Sequence, residues 1–195
     1  MPSSPAGPGA LPDMRLTDLT PETMSAAQRR VAEAAAAGKR GRVPAPLRAW
    51  LHSPEFGDRA QHLGEFLRYD TSLDPQLSEL AILVTARAWT AHYEWYAHRR
   101  EALKAGLAPE IVDAIAARRE PELADPRARA VYDYATMLHR DRGVTDAVHG
   151  AAVAALGEAG VVELVGIVGY YTVVAMTLNA FGIGVPEGET SGLPE

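Results

Sequence analysis

Between Glu79 and His98 the chain reads ELAILVTARAWTAHYEWYAH, and no other stretch limits the fold so tightly. From Leu80 to Trp89 the residues are apolar on nearly every side of a helix. Such a helix has no face to give to water, so it belongs at the centre of a bundle. One carboxylate, Glu79, opens the run. An aromatic and titratable cluster of Tyr93, Glu94, Trp95 and His98 closes it.

Capping residues set directly before proline mark where helices begin: Thr20-Pro21, Ser53-Pro54, Asp74-Pro75 and Asp125-Pro126, with Ala108-Pro109 a weaker case. The side-chain oxygen accepts an orphan amide, and proline at the first helical position wastes no donor. Gly106 and Gly157 fall where helices should stop. The helices then span 21–37, 46–51, 54–69, 75–89, 92–105, 109–117, 126–140, 146–156 and 161–181. No alternating strand competes, since the β-branched stretch 161–174 is too long for one. The fold class is all-α, a compact helical bundle. An Ala-rich chain with only three Phe suits helices packed through small residues. One helical domain is expected over 15–184. Residues 1–14 read as a disordered or extended arm and 185–195 as a flexible tail.

A formal charge of −6 argues against a nucleic-acid partner. With no cysteine there are no disulfides, thiolate metal sites or thiol nucleophiles, which fits a cytoplasmic protein. Residues 1–12 lack a basic start and an apolar core, so no secretory signal is expected. Segment 161–181 approaches the length of a membrane span, but Glu163, Asn179, two Tyr and two Thr dilute it. A buried helix of a protein with no membrane partner is the expectation.

Glu94 and His98 stand four apart and share a helix face, the arrangement of a carboxylate that fixes an imidazole's tautomer. Thr90 is placed to cap a new helix, putting Tyr93 and Glu94 in its first turn. Arg87 precedes Glu94 by seven residues and projects from nearly the same direction if the helix is continuous. Glu79 has two readings: solvated at a helix start, or buried and carrying a proton. His92 and Glu94 point to opposite sides of a helix, so His92, Glu94 and His98 cannot share one ion, and no metal is expected. His62 and Glu65 are candidates to reach the same core. A faint echo of SELAILV in VVELVGIV pairs Glu79 with Glu163.

Glu79, eleven residues, Ala91-His92-Tyr93-Glu94, three residues and His98, followed by ALKAGL, resembles the carboxymuconolactone decarboxylase and alkylhydroperoxidase D superfamily. Its peroxidase members carry two cysteines where Ala91 and Glu94 stand here, and the Tyr93-Glu94-Trp95 form resembles its cysteine-free, decarboxylase-like branch. The match is specific over 74–107 and looser over 43–185. The resemblance implies an all-helical fold assembled as a homo-oligomer, trimer or hexamer, and chemistry without a cofactor. Thiol peroxidase turnover is chemically closed to a chain without sulfur nucleophiles. The function expected is a cofactor-independent decarboxylase or lactone-processing enzyme on a small unsaturated carboxylated compound. His98 would be the acid/base, Glu94 its orienting partner and Glu79 the end of a relay. Tyr93, Arg87 and Trp95 would contact the substrate. A non-catalytic oligomeric scaffold or small-ligand binder is the alternative, favoured by the inert Ala91.

Overall fold

The computed structural model describes residues 14–39 and 41–195. Among them are eight helices and no strand: α1 (Ala26–Ala37), α2 (Ala45–Trp50), α3 (Pro54–Tyr69), α4 (Pro75–Ala88), α5 (His92–Lys104), α6 (Pro109–Ala116), α7 (Pro126–Asp141) and α8 (Asp146–Phe181). Apart from Met14, the expected N-terminal arm lies outside the described residues. As the apolar run requires, α4 is the central rod. Leu77 through Arg87 is buried without interruption, and the helix packs against α5, α7 and α8.

The cap-then-proline rule held where the capping side chain was an aspartate. Asp74 accepts from the Leu77 amide at 3.1 Å and Asp125 from the Arg127 amide at 2.9 Å. Ser53 makes no such bond. The first helix starts at Ala26 rather than at residue 21, because Ser25 and Gln28 form a reciprocal capping box. Thr20-Pro21 makes a turn instead, the Thr20 amide donating to Thr23 Oγ1 at 2.9 Å.

The two helices expected at 146–156 and 161–181 are one element, α8, broken at Gly157 with φ 73° and ψ 165°. Only glycine occupies that backbone region without strain. A Cβ there would meet nothing within 4 Å, so the cost of one is purely conformational. Gly157→Ala is expected to lose about 1–3 kcal/mol of stability, read as a lower urea midpoint. An unchanged midpoint would contradict this.

α8 is long and apolar enough to cross a membrane by length and composition. In this fold its inner face (Leu164, Ile167, Tyr171, Leu178) is buried in the core. Val162, Val165, Val173 and Met176 lie within a narrow arc on the outside and are exposed, as are Phe56, Leu63 and Phe66 of α3. Glu163 accepts from the amide and hydroxyl of Ser72 and so ties α8 to the α3–α4 connection, a task unrelated to that of Glu79. Residues 185–195, expected as a flexible tail, lie against the turn between α4 and α5. Leu193 is buried, and His92 Nδ1 lies 2.8 Å from the Ser191 hydroxyl.

Candidate functional site

The capped start of α4 places Glu79 a little over one turn into the helix. At the other end Thr90 takes a left-handed conformation, φ 46°, and the chain doubles back. Ala91, not Thr90, is the residue before α5, and it offers no side-chain cap. The reversal carries His98 back to the level of Glu79. The imidazole Nδ1 lies 2.7 Å from Glu79 Oε2, with both side chains more than nine-tenths buried. An ionised carboxylate can only accept, so Nδ1 carries the proton and the ring's tautomer is set. The partner of His98 is therefore Glu79 and not, as the i,i+4 spacing suggested, Glu94. Tyr171 of α8 meets the imidazole edge to face at 4.9 Å, and Tyr170 backs Tyr171 at 5.3 Å.

Glu94 is the most unusual group in the protein. It is 1% exposed, and neither carboxyl oxygen has a hydrogen-bond partner among the described residues. Burial, and then the nearby Glu79 carboxylate, push its pKa well above the usual carboxylate range. Both effects favour the neutral acid. Two carboxyl groups thus stand in one region in different settings: Glu79 is paired with an imidazole, and Glu94 is buried without a partner, which favours its neutral form.

His98 and Glu94 line a cavity of about 230 Å³. Its other walls come from the chain entering α2, from the end of α3 through Arg68 and Tyr69, from α5 through Tyr93 and Glu101, and from α8 through Tyr170, Tyr171 and Val174. Burial also raises the pKa of the Tyr93 hydroxyl, which therefore stays a donor. Of the six residues singled out from the sequence, Glu94, His98 and Tyr93 line this cavity, and Glu79 stands behind its wall on His98.

Arg87 and Trp95 do not. The helix breaks at Thr90–Ala91, so the seven-residue spacing from Arg87 to Glu94 does not run along one continuous helix. Arg87 donates instead to the carbonyls of Pro194 at 2.7 Å and Glu195 at 3.3 Å. Trp95 is fully buried in the core one residue round from Glu94. His62 faces solvent beside Asp58. The sequence reading missed Arg68, Tyr170 and Tyr171. The first drew no functional reading on the last turn of α3, and the tyrosines counted only as residues that dilute an apolar helix. Among the described residues no group of three or more His, Asp or Glu is placed to hold a metal ion.

The all-helical fold is that of alkylhydroperoxidase D-like proteins of known structure. A peroxidase-related protein with an alkylhydroperoxidase AhpD core from Ralstonia eutropha JMP134 superposes with a TM-score of 0.74 at 19% identity, over 95% of this chain and 100% of its own. Another from Silicibacter sp. TM1040 gives 0.73 at 17% identity, over 97% of each chain. The debrominase Bmp8 in complex with 2,3,4-tribromopyrrole gives 0.67 at 13% identity, over 87% of this chain and 90% of that one. No curated protein matches by sequence. The carboxymuconolactone decarboxylase family matches residues 54–137, a match that, with the shared fold, supports a place in the carboxymuconolactone decarboxylase/AhpD-like superfamily. The matched segment holds Arg68, Glu79, Glu94 and His98, while Tyr170 and Tyr171 come from outside it.

Proposed function

We propose that this protein is a cofactor-independent proton-transfer enzyme, a decarboxylase or lactone-processing lyase, acting on a small unsaturated carboxylated compound. The observation that carries the reading is one cavity faced by an imidazole of set tautomer and by a neutral carboxylic acid. Burial and the neighbouring Glu79 carboxylate raise the pKa of Glu94 and suit it to donate a proton. With Nδ1–H donated to Glu79, the other nitrogen of His98 is the one left to take up a proton and pass it on. Glu94 supplies the complementary proton. For a carboxylate on a saturated carbon next to a C=C–C=O system, the C–C bond to CO2 breaks and its electron pair moves into that system. The resulting dienolate takes a proton at carbon from the Glu94 acid, which is recharged from solvent through His98. Tyr93 donates to the oxygen on which charge develops, and desolvation strengthens that interaction. The debrominase Bmp8, solved with a small unsaturated ring, supports the choice of substrate shape.

The exposed apolar stripe of α8 and that of α3 support a homo-oligomer, and the absence of disulfide chemistry suits a cytoplasmic one. Ala91, fully buried where sulfur-bearing relatives place a cysteine, favours a second reading: a binding protein that keeps the pocket and does no chemistry. Purified protein incubated in D2O with a panel of unsaturated lactone carboxylates separates the two. CO2 release, or deuterium at the reacting carbon, is expected. Saturable binding with neither signal across the panel would leave only the binder.

A further inference from the structure

Arg87, bonded to the tail, also stands in the wall of a second cavity. This space of about 330 Å³ is bounded by the last turns of α4, the end of α6 and one face of α7. It shares no lining residue with the cavity of His98 and Glu94. Four arginines line it: Arg87 from α4, Arg118 and Arg119 from the turn after α6, and Arg140 from α7. Among the described residues no carboxylate stands in the wall.

The charge gathered there is poorly offset. Arg118 and Arg119 make no ion pair among the described residues, and of the four only Arg140 is in one, with Asp141 at 2.6 Å. Glu195 lies near Arg87, but its side chain is 94% exposed and outside the wall. Two of the guanidiniums are held side by side, since Thr90 Oγ1 accepts from Arg118 at 3.3 Å and from Arg87 at 3.5 Å. Burial, and then the Arg118 charge, hold the Arg87 pKa below its ordinary value. Thr90 and Arg118 both take left-handed backbone, at φ 46° and 55°, where residues other than glycine are strained.

Arg87 is the buried member of the set, 5% exposed. Its terminal nitrogens are taken by the Pro194 and Glu195 carbonyls, while its Nε has no partner among the described residues. A buried N–H left unmet is costly. The rest of the wall is uncharged. Val84, Ile115 and Tyr132 give it apolar and aromatic surface. His139 adds no cation, because burial lowers its pKa. Its Nε2 donates to Thr85 Oγ1 at 3.1 Å, that hydroxyl giving its own proton to the Ala81 carbonyl at 2.9 Å. The volume reaches the lower end of the range for small-molecule sites, about 300–1,000 Å³, and so has room for more than a bare ion.

We propose that this cavity is a second ligand site and that it takes a small phosphate monoester. The phosphate lies on Arg118 and Arg119 with the free Nε–H of Arg87, and the ester's apolar body lies against Ile115 and Tyr132. A phosphate suits this wall better than a carboxylate does. It carries about 1.5–2 negative charges and three acceptor oxygens. The cations here come from two directions, α4 and the turn after α6, whereas a carboxylate engages a single fork. The inference is independent of the proton-transfer reading, since the two cavities have no wall in common.

Calorimetric titration of the full chain with phenyl phosphate, inorganic phosphate and benzoate tests it. Phenyl phosphate is expected to bind at least about tenfold more tightly than inorganic phosphate, the value of burying a ring, and to weaken as salt rises. Arg118 and Arg119 are exposed, so R118Q/R119Q should fold normally. It should lose about tenfold or more in phenyl phosphate affinity, the value of a charge-assisted contact, while benzoate affinity holds. Arg68→Gln, which alters only the reacting cavity, should leave phenyl phosphate binding unchanged. A loss in R118Q/R119Q that Arg68→Gln does not share supports the site, and any other pattern overturns it. An equal loss for benzoate overturns the choice of phosphate. So does inorganic phosphate binding as tightly as phenyl phosphate, which removes the monoester. No phenyl phosphate binding below roughly 10 mM, where even weak charge-assisted binding registers, overturns the proposal without recourse to any variant.

Discussion

His98→Ala is expected to lower kcat by roughly 10²–10⁴-fold, the range supplied by a positioned general acid/base. The rate is CO2 release or deuterium uptake on whichever lactone carboxylate the protein turns over. The substitution opens space at a wall instead of burying a charge, so the fold should survive. It does leave the Glu79 carboxylate without its 2.7 Å partner, and a neutral Glu79→Gln beside it tests that contribution. Glu79→Gln alone keeps the imidazole in place but offers it an amide in place of a carboxylate. Its loss should be smaller than that of His98→Ala, because orientation is weakened and not abolished. If the two losses are equal, Glu79 is a participant in the proton path beyond a holder of the ring. If His98→Ala keeps most of the activity, the mechanism fails at its centre.

Glu94→Leu is expected to move stability and activity in opposite directions. A buried polar group without a partner costs about 1–3 kcal/mol, and leucine of similar bulk removes that cost. For a domain of this size a gain of that order raises Tm by several degrees. Activity should fall by at least about 10²-fold if Glu94 delivers the proton.

The pH dependence gives a second, independent check. The folded-state pKa of Glu94 lies above its unfolded value. Between those two values the folded protein therefore binds the extra proton, and stability declines as pH rises through the interval. Below the unfolded pKa of about 4.3 the contribution is fully present. Glu94→Leu cannot titrate, so its advantage over the unaltered protein should be smallest in acid and grow towards neutral and alkaline pH. Urea midpoints across that range measure it. A Glu94→Leu protein that is less stable at every pH would mean that the carboxyl has partners which satisfy it. A stabilised protein with full activity would mean that Glu94 is a bystander.

Some of this was legible along the chain, because it depends on neighbours in sequence. The all-apolar run after Glu79 can exist only at the centre of a helical body, and α4 lies there. Asp74-Pro75 and Asp125-Pro126 name helix starts through contacts two or three residues long. The spacing of Glu79 and His98 around the Thr90–Ala91 turn marks a pair of helices that fold back on each other.

What the chain does not display is which of two nearby carboxyls an imidazole chooses. Glu94 shares a helix face with His98 at i,i+4, yet Glu79 comes across from α4 and takes the ring. Glu94 is left inside without a partner. Arg87 was misread for the related reason that a spacing means one direction in a continuous helix and another across a break. Arg68, Tyr170 and Tyr171 belong to helices separated from α5 by tens of residues, and only packing brings them to its side. Residue type and short-range spacing determined that this chain is helical and carries acid, imidazole and aromatic groups without sulfur. Burial depends on what every other segment does, so the tertiary structure alone decided which carboxyl stays neutral and which arginine faces the cavity.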